Sequence, residues 1–237
     1  MKSKKKIKEE LANQYFGKEA EEYDYVREKD PRRKAVIEIQ KEITSSFLKD
    51  TGKKNILDVA CGTGRFFGLY TPREIYGIDI SPDMLKQARK KKGVKKIVIA
   101  DAEKIPFPNN MFDVVITSQF IMHTPFYMKV IKEMVRVAKK GGSIIIDFPN
   151  KYSLSYLSTK IRLLKGKLRY YNLFTKKQIL KIAKDNNLEI KQIRGTVIFS
   201  PMFLPKSFTK LSIKLNSFLL KLFPELSYVY YVHFIKK

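Results

Sequence analysis

The run Ile56-Leu57-Asp58-Val59-Ala60-Cys61-Gly62-Thr63-Gly64-Arg65-Phe66 constrains this chain more than any other stretch. It reads as a buried strand that breaks into a loop of small residues and then a short helix. Glycines in such a loop let the backbone turn tightly and come close to a ligand. A second strand, 74–80, carries Asp79 near its end, where a carboxylate can hold the two hydroxyls of a ribose. Strand, glycine loop, strand and terminal acid together point to a nucleotide-like ligand.

Strand and helix signals alternate along the rest of the chain. Residues 1–50 read as helices. Leu11, Tyr15 and Phe16 share one face, Val36, Ile37, Ile39, Ile43 and Phe47 form a second pattern, and Pro31 separates the two. Further strands are expected at 96–100, 112–118 and 143–148. A helix opens at Pro82, where Ser81 can cap it and proline fits the first turn, and another covers 126–138. Val114-Val115-Ile116 and Ile144-Ile145-Ile146 are continuously apolar, as strands buried on both faces of a parallel sheet must be. A helix at 176–186 opened by Thr175, a strand at 188–199 and a last strand at 228–235 follow, interrupted by helical inserts at 153–165 and 205–223. Alternation of this kind implies an α/β fold whose parallel sheet has helices on both faces. One domain spanning 1–237 is the economical reading.

The 237 residues include 48 basic and 23 acidic side chains, a net charge of +25. Such a balance attracts nucleic acid, anionic lipid or acidic substrates. The lysines far outnumber the arginines and are spread along the whole chain, which a general compositional bias would also produce. The single cysteine, Cys61, excludes an internal disulfide and fits a reducing compartment. No apolar run approaches the roughly 20 residues of a membrane span, and the basic N-terminus is not followed by the apolar core of a secretory signal. The expected location is cytoplasmic, or peripheral at a membrane.

Three acids fall at three consecutive strand ends: Asp58, Asp79 and Asp101 of Asp101-Ala102-Glu103. A carboxylate at position 58 would repel a pyrophosphate and welcome a cationic amino-acid moiety. An acid after the third strand can accept from an adenine amino group. S-adenosylmethionine has a positive charge, a ribose and an adenine, and it lacks a phosphate. With Pro106-Phe107-Pro108 and Phe112-Asp113 before the fourth strand and Gly141-Gly142 before the fifth, the chain resembles the class I S-adenosylmethionine-dependent methyltransferases. It is similar within them to the group of ubiquinone/menaquinone C-methyltransferases and small-molecule methyltransferases.

That resemblance implies a Rossmann-like, seven-stranded, mostly parallel sheet with the last strand antiparallel, a cofactor core at 51–150 and an N-terminal helical cap at 1–50. It implies that the 58–64 loop, with Asp58, Ala60, Cys61, Gly62 and Gly64, cradles the methionine part. Asp79 would bind the ribose, and Ile80 and Met84 would pack on the adenine. Asp101 would accept from the adenine amino group beside Ala102, and Ser118 would line the sulfonium end. The family often has glycine where this chain has Ala60. Tyr23-Asp24 is similar to a pair often found in the closing N-terminal segment, so Tyr23 would touch the methionine moiety, or its aromatic face would simply pack on the sheet. Asp58 and Asp79 could instead serve as caps of the loop and of the next helix.

Transfer from a sulfonium is an in-line displacement in which positioning supplies most of the catalysis, and a base is needed only where the acceptor must lose a proton. His123, just past the fourth strand, is the candidate base; an anchoring or capping role is the alternative. His233 reads as structural, and Cys61 as a small loop residue without a partner base. No Asn/Asp-Pro-Pro-Tyr/Phe motif follows the fourth strand, which reads Ser118-Gln119-Phe120-Ile121, and no cysteine stands there as a nucleophile for cytosine. These negatives disfavour nucleic acid, leaving an RNA-directed enzyme as the alternative that the charge supports.

The two inserts, with their flanks 151–172 and 201–226, should leave the carboxyl edge of the sheet and lie over the site. In the second, Leu204, Phe208, Leu211, Leu215, Phe218 and Leu222 alternate at spacings of four and three, with Lys206, Lys210, Lys214 and Lys221 alongside. In the first, Leu154, Leu157, Ile161 and Leu164 recur among Lys160, Arg162, Lys165, Lys167 and Arg169. Such helices either pack as a lid or lie on an anionic membrane. Two apolar helices over the site point to a small acceptor of hydrophobic or lipid-like character, and a noncatalytic membrane-peripheral protein is the further alternative. No motif calls for a metal.

Overall fold

Seven strands carry the architecture: β1 (Asn55–Val59), β2 (Glu74–Asp79), β3 (Val94–Ile99), β4 (Phe112–Thr117), β5 (Ala138–Pro149), β6 (Leu188–Gly195) and β7 (Val229–Lys236). The computed structural model describes residues 9, 17–49, 51, 55–154 and 171–237. Leu11, Tyr15 and Phe16 lie outside the described residues, as does the body of the first insert with Leu157, Lys160, Ile161, Arg162, Leu164, Lys165, Lys167 and Arg169. The strands form one sheet in the order β3-β2-β1-β4-β5-β7-β6. All run parallel except β7, which pairs antiparallel with β5 and with β6. The chain direction across the sheet reverses between β1 and β4, so their carboxyl ends diverge there and leave a crevice.

Alternation along the strands sorts the core into two layers. Leu57, Val115, Ile144 and Ile146 face α5 (Tyr127–Val137) and α6 (Lys176–Asp185), which contribute Val130, Ile131, Met134, Ile179 and Ile182. Ile56, Val114, Ile116 and Ile145 face the other way, toward α3 (Pro31–Lys49) and α4 (Pro82–Ala88), which contribute Ile43, Phe47, Leu48, Leu85 and Ala88. Two short helices, α1 (Lys18–Glu21) and α2 (Tyr23–Glu28), precede α3. Ser81 caps α4, accepting from Met84 N at 3.5 Å, with Pro82 in the first turn. Thr175 and Gln178 close a reciprocal capping box on α6.

The strand read at 188–199 ends at Gly195, and two further segments differ from the sequence reading. The helix expected after Gly64 is only a 3-10 turn, Phe67–Leu69. Gly64 has φ +69°, which diverts the chain from helical geometry, and the turn then buries Phe66, Phe67 and Tyr70 against α3 and α4. A Cβ on Gly64 would come within 2.7 Å of the Phe67 ring. The fifth strand begins earlier than expected, so Lys139, Lys140, Gly141 and Gly142 belong to β5, with a register irregularity opposite β4 that absorbs them.

The second insert folds as α7 (Thr209–Leu222), reached from the carboxyl end of β6. Its expected apolar stripe faces outward. Leu211 and Phe218 are 60% and 59% exposed, whereas Ser212 and Asn216 are 1% exposed. Hydrogen bonding explains the inversion. Asn216 Oδ1 accepts from Ile198 N at 2.8 Å and Phe199 N at 3.1 Å, and its Nδ2 donates to Phe199 O and Ser212 O. The loop after β6 needs these partners, because buried backbone groups left unpaired are costly. The polar face of α7 therefore turns inward.

Candidate active site

The carboxyl ends of β1, β2 and β4 and the turn after β3 enclose a pocket at the reversal point of the sheet. Among the lining residues are Asp58, Ala60, Cys61 and Gly62 from β1 and its loop; Asp79, Ile80, Ser81 and Met84 from β2 and α4; Asp101, Ala102 and Glu103 after β3; and Ser118, Gln119, Phe120, His123 and Thr124 after β4. Tyr23 and Arg27 of α2 close one side. The sequence-predicted residues Asp58, Ala60, Cys61, Gly62, Asp79, Ile80, Met84, Asp101, Ala102, Ser118, Tyr23 and His123 are thus brought together. Gly64 stands apart: it is not among the lining residues, and its N–H closes the loop on Cys61 O at 3.0 Å. No residue of 201–226 lines the pocket either, so the expected cover from the second insert is not found among the described residues.

Asp79 organises the loop. Its carboxylate accepts from Gly62 N at 2.8 Å and from Ser81 N at 2.9 Å. It both pins the glycine turn and sits at the start of α4, with lone pairs left over for further donors. Burial raises its pKa, and the Ser81, Gly62 and Ile80 amides oppose the rise. The loop can lie this close to β2 because of Gly77. A Cβ there would meet Ile97 Cδ1 at 2.8 Å and Cys61 Sγ at 2.9 Å.

Asp58 points to the α3 side of the sheet and is buried, accepting from the Tyr70 hydroxyl at 2.8 Å. Burial pushes its pKa up to about 7, the Tyr70 bond holds it down, and the nearby Asp79 charge adds to the rise. Burial, with Asp58 and Asp79 nearby, raises the Cys61 thiol well above its usual range, which disfavours the thiolate. Asp101 Oδ1 accepts from Glu103 N at 2.9 Å and shapes the turn after β3.

The ends of β1 and β4 carry features that the sequence reading missed. Ala60 and Gln119 both have φ +58°, uncommon for residues with a Cβ and frequent where a chain is bent to serve a site. Gln119 N donates to Asp147 Oδ1 at 2.9 Å, and its side chain bridges Arg65 Nη2 at 3.3 Å and Gln40 Oε1 at 2.7 Å. Asp147, at the end of β5, is buried, and burial lifts it to about 7; its Oδ2 has no hydrogen-bond partner among the described residues. Beside it the Tyr231 hydroxyl meets Ser118 Oγ at 3.2 Å. Arg65 lines the pocket, 5.8 Å from the Tyr23 ring centre, and its Nε and Nη1 are buried without a described partner. An acid inside the apolar run 144–148 was the signal that could have flagged Asp147.

The N-terminal segment is tied to this site. Thr63 Oγ1 donates to Asp24 Oδ1 at 2.9 Å, and Gly17 N donates to Asp83 Oδ2 at 3.0 Å. Arg27 stacks over the Tyr23 ring at 4.3 Å. His123 ends the 3-10 turn Ile121–His123 and meets Tyr171 edge to face at 5.5 Å. His233 lies buried on β7, 3.0 Å from Ser143 Oγ and stacked near Phe47, which is a packing role. No group of residues able to hold a metal ion occurs among the described residues.

Residues 57–146 match a family model described as a methyltransferase domain. The chain is 33% identical over 155 residues to the demethylmenaquinone methyltransferase of Anoxybacillus flavithermus, an alignment covering 58% of this chain and 62% of that protein. The chain thus spans about three fifths of that relative's length. It is 32% identical over 185 residues to an uncharacterized protein of Methanocaldococcus jannaschii, covering 76% of this chain and 83% of the relative. Its backbone superposes on a Thermotoga maritima protein described as an S-adenosylmethionine-dependent methyltransferase with a TM-score of 0.65, at 17% identity, covering 98% of this chain and 99% of the other.

Proposed function

We propose that this chain is a class I S-adenosylmethionine-dependent methyltransferase; the methyltransferase-domain match at 57–146 and the 33% identity to a demethylmenaquinone methyltransferase support the reading. The observation that carries the reading is the meeting of Asp58, Asp79 and Asp101 in one pocket at the sheet's reversal point. Three carboxylates there repel phosphate and favour a cation. S-adenosylmethionine fits the donor set on two counts. Its positive charge relieves the electrostatic cost of Asp58 ionising beside Asp79, and its carboxylate gives an acceptor to the buried Nε and Nη1 of Arg65. When bound, it supplies an electrophilic methyl group.

The chain's own residues do the rest. Asp79 takes two hydroxyl donors on the lone pairs left by Gly62 and Ser81. Asp101 accepts from an amino group, and Ile80 and Met84 provide an apolar wall. Tyr23 and Arg27, fastened by Asp24 to Thr63, exclude water from one side. Phe120, Phe126 and Val130 give the far side of the pocket an apolar surface next to Ser118 and His123. The acceptor read from that surface is small and hydrophobic or lipid-like, and His123 takes its proton where one must leave. The likeness to a demethylmenaquinone methyltransferase makes demethylmenaquinone the first acceptor to try.

Titration calorimetry with S-adenosylmethionine and S-adenosylhomocysteine tests the cofactor reading. Saturable binding by the wild type and none by a folded Asp79→Ala variant is expected; no binding of either ligand to folded wild type overturns it. Transfer of labelled methyl into organic-extractable demethylmenaquinone tests the acceptor class.

A further inference from the structure

An amphipathic surface helix normally buries its apolar stripe and shows its charges. At α7 the main apolar stripe is left outside: Ser212 and Asn216 are buried, Ile213, Leu219 and Leu220 are half-buried, and Leu211, Leu215, Phe218 and Leu222, with Phe208 just before the helix, are exposed. Phe203 and Phe223 extend the exposed face at either end. The loop after β5 adds Tyr152 and Leu154, also exposed. That loop is tied to the turn after α7 by Asn150, whose Nδ2 donates to Glu225 O at 2.7 Å and Ser227 O at 2.8 Å. An exposed apolar stripe of this length on a folded protein marks a contact surface.

Charge selects the occupant. Between Pro205 and Phe223 there are four lysines and no acidic residue, in a chain with a net charge of +25. Lys206, Lys210, Lys214 and Lys221 are exposed and flank the stripe. Glu38 and Glu42 of α3 share a groove with Lys210 and Lys214, while Lys206 and Lys221 lie outside it. An apolar stripe with a lysine flank is the pattern of a helix lying in the plane of an anionic lipid surface. At 14 residues α7 is too short to span a bilayer, and no helix among the described residues is long and apolar enough to do so.

We propose that α7 docks this protein on an anionic lipid bilayer, with the Leu211, Leu215 and Phe218 face entering the acyl boundary and the lysine flank resting on the headgroups. The anchor is joined to the wall of the pocket. Arg32 donates to Met202 O at 3.4 Å and Leu204 O at 3.0 Å while paired with Asp30 at 2.7 Å, and Asp30 follows directly on the helix that carries Tyr23 and Arg27. The segment that leads into α7 is thus tied to the chain just past the helix that lines the pocket.

The test is co-sedimentation of the full chain with vesicles of phosphatidylcholine alone or mixed with phosphatidylglycerol, in low and high salt. Pelleting with the mixed vesicles at least about tenfold above that with neutral ones, and weakened by salt, is expected. Leu215→Glu/Phe218→Glu should abolish it, and Lys206→Glu/Lys221→Glu should weaken it, with unchanged circular dichroism, since all four side chains face water. The chain contains no tryptophan, so Phe218→Trp gives a single reporter whose emission should shift to the blue only when anionic vesicles are added. Failure of the wild type to pellet overturns the proposal, as does pelleting that the Leu215→Glu/Phe218→Glu change leaves intact. Tryptophan emission already blue-shifted without vesicles would mean that another part of the chain covers the face. Sedimentation equilibrium showing a dimer that Leu215→Glu/Phe218→Glu dissociates would assign the face to a second copy. Retention on RNA that needs the lysines and not the apolar residues would assign it to nucleic acid. Each of these three results also overturns bilayer docking. The measurement uses neither cofactor nor acceptor, so its failure and that of the proposed methyl transfer are separately visible.

Discussion

The Tyr70 hydroxyl donates a 2.8 Å hydrogen bond to the Asp58 carboxylate inside the protein, and this contact opposes the burial that would otherwise hold the acid neutral. Burial and the neighbouring Asp79 favour the neutral acid, Tyr70 favours the carboxylate, and the balance puts the group at about 7. A cationic ligand binds the ionised form. Affinity for S-adenosylmethionine is therefore expected to rise with pH through about 7 and level off above it. In Tyr70→Phe the midpoint should move upward, lowering affinity near neutrality several-fold. Calorimetry at a series of pH values on both proteins checks this.

The same burial has a consequence for stability. Asp58 and Asp147 are both raised to about 7 from an ordinary value of 3.8. A carboxyl whose folded pKa is raised contributes fully below the unfolded value, and that contribution is lost as pH rises through the folded one. The window is thus from about 4 to about 7. Asp147→Asn keeps an oxygen for Gln119 N and removes the buried charge, so its stability relative to wild type should grow across that window and then stay constant. Urea unfolding of the two proteins at pH 4, 5.5 and 8, roughly spanning that range, measures the difference.

Gly64→Ala should destabilise the protein by about 2–3 kcal/mol, from a left-handed backbone that alanine resists and from a Cβ driven into a buried aromatic ring. The contact is 2.7 Å from the Phe67 ring. Because the loop would have to open, weaker cofactor binding is expected together with the lower melting temperature.

Asn216→Leu removes the partners of Ile198 N, Phe199 N and Phe199 O. Orphaning that many buried backbone groups should cost about 2–4 kcal/mol. Adding a leucine to a hydrophobic-looking helix would thus destabilise it, which thermal unfolding will show.

His123→Ala separates proton removal from binding. If His123 takes the acceptor's proton, turnover should fall by roughly 100-fold or more while the dissociation constant for S-adenosylhomocysteine stays unchanged. Equal turnover by the variant would leave His123 with its edge-on packing against Tyr171.

The sequence made the pocket's acids visible because Asp58, Asp79 and Asp101 each fall at or just beside the carboxyl end of a strand, and strand ends are marked by local composition. Gln119 and Asp147 were not visible as a pair: the bond between them depends on β4 and β5 lying side by side, a fact of topology. Arg65 follows the glycine loop directly, yet its place in the pocket depends on where the 3-10 turn sends the chain. The periodicity of α7 announced one apolar face and could not say which way it points. Orientation was decided by Asn216, a polar residue whose partners lie 17 and 18 positions away.

Among the described residues β7 is the only strand that touches β6, and it also edges β5. The last-made strand is thus the zipper between two parts of the molecule: a five-stranded half that already holds the pocket, and a later half comprising β6 and the outward helix. During synthesis the first half can close while the second waits, since β6 has no neighbour to pair with until Val229–Lys236 is available. The surface-seeking helix would accordingly settle late, because the loop that holds Asn216 is itself tied to β7, Thr196 N donating to Val229 O at 3.1 Å.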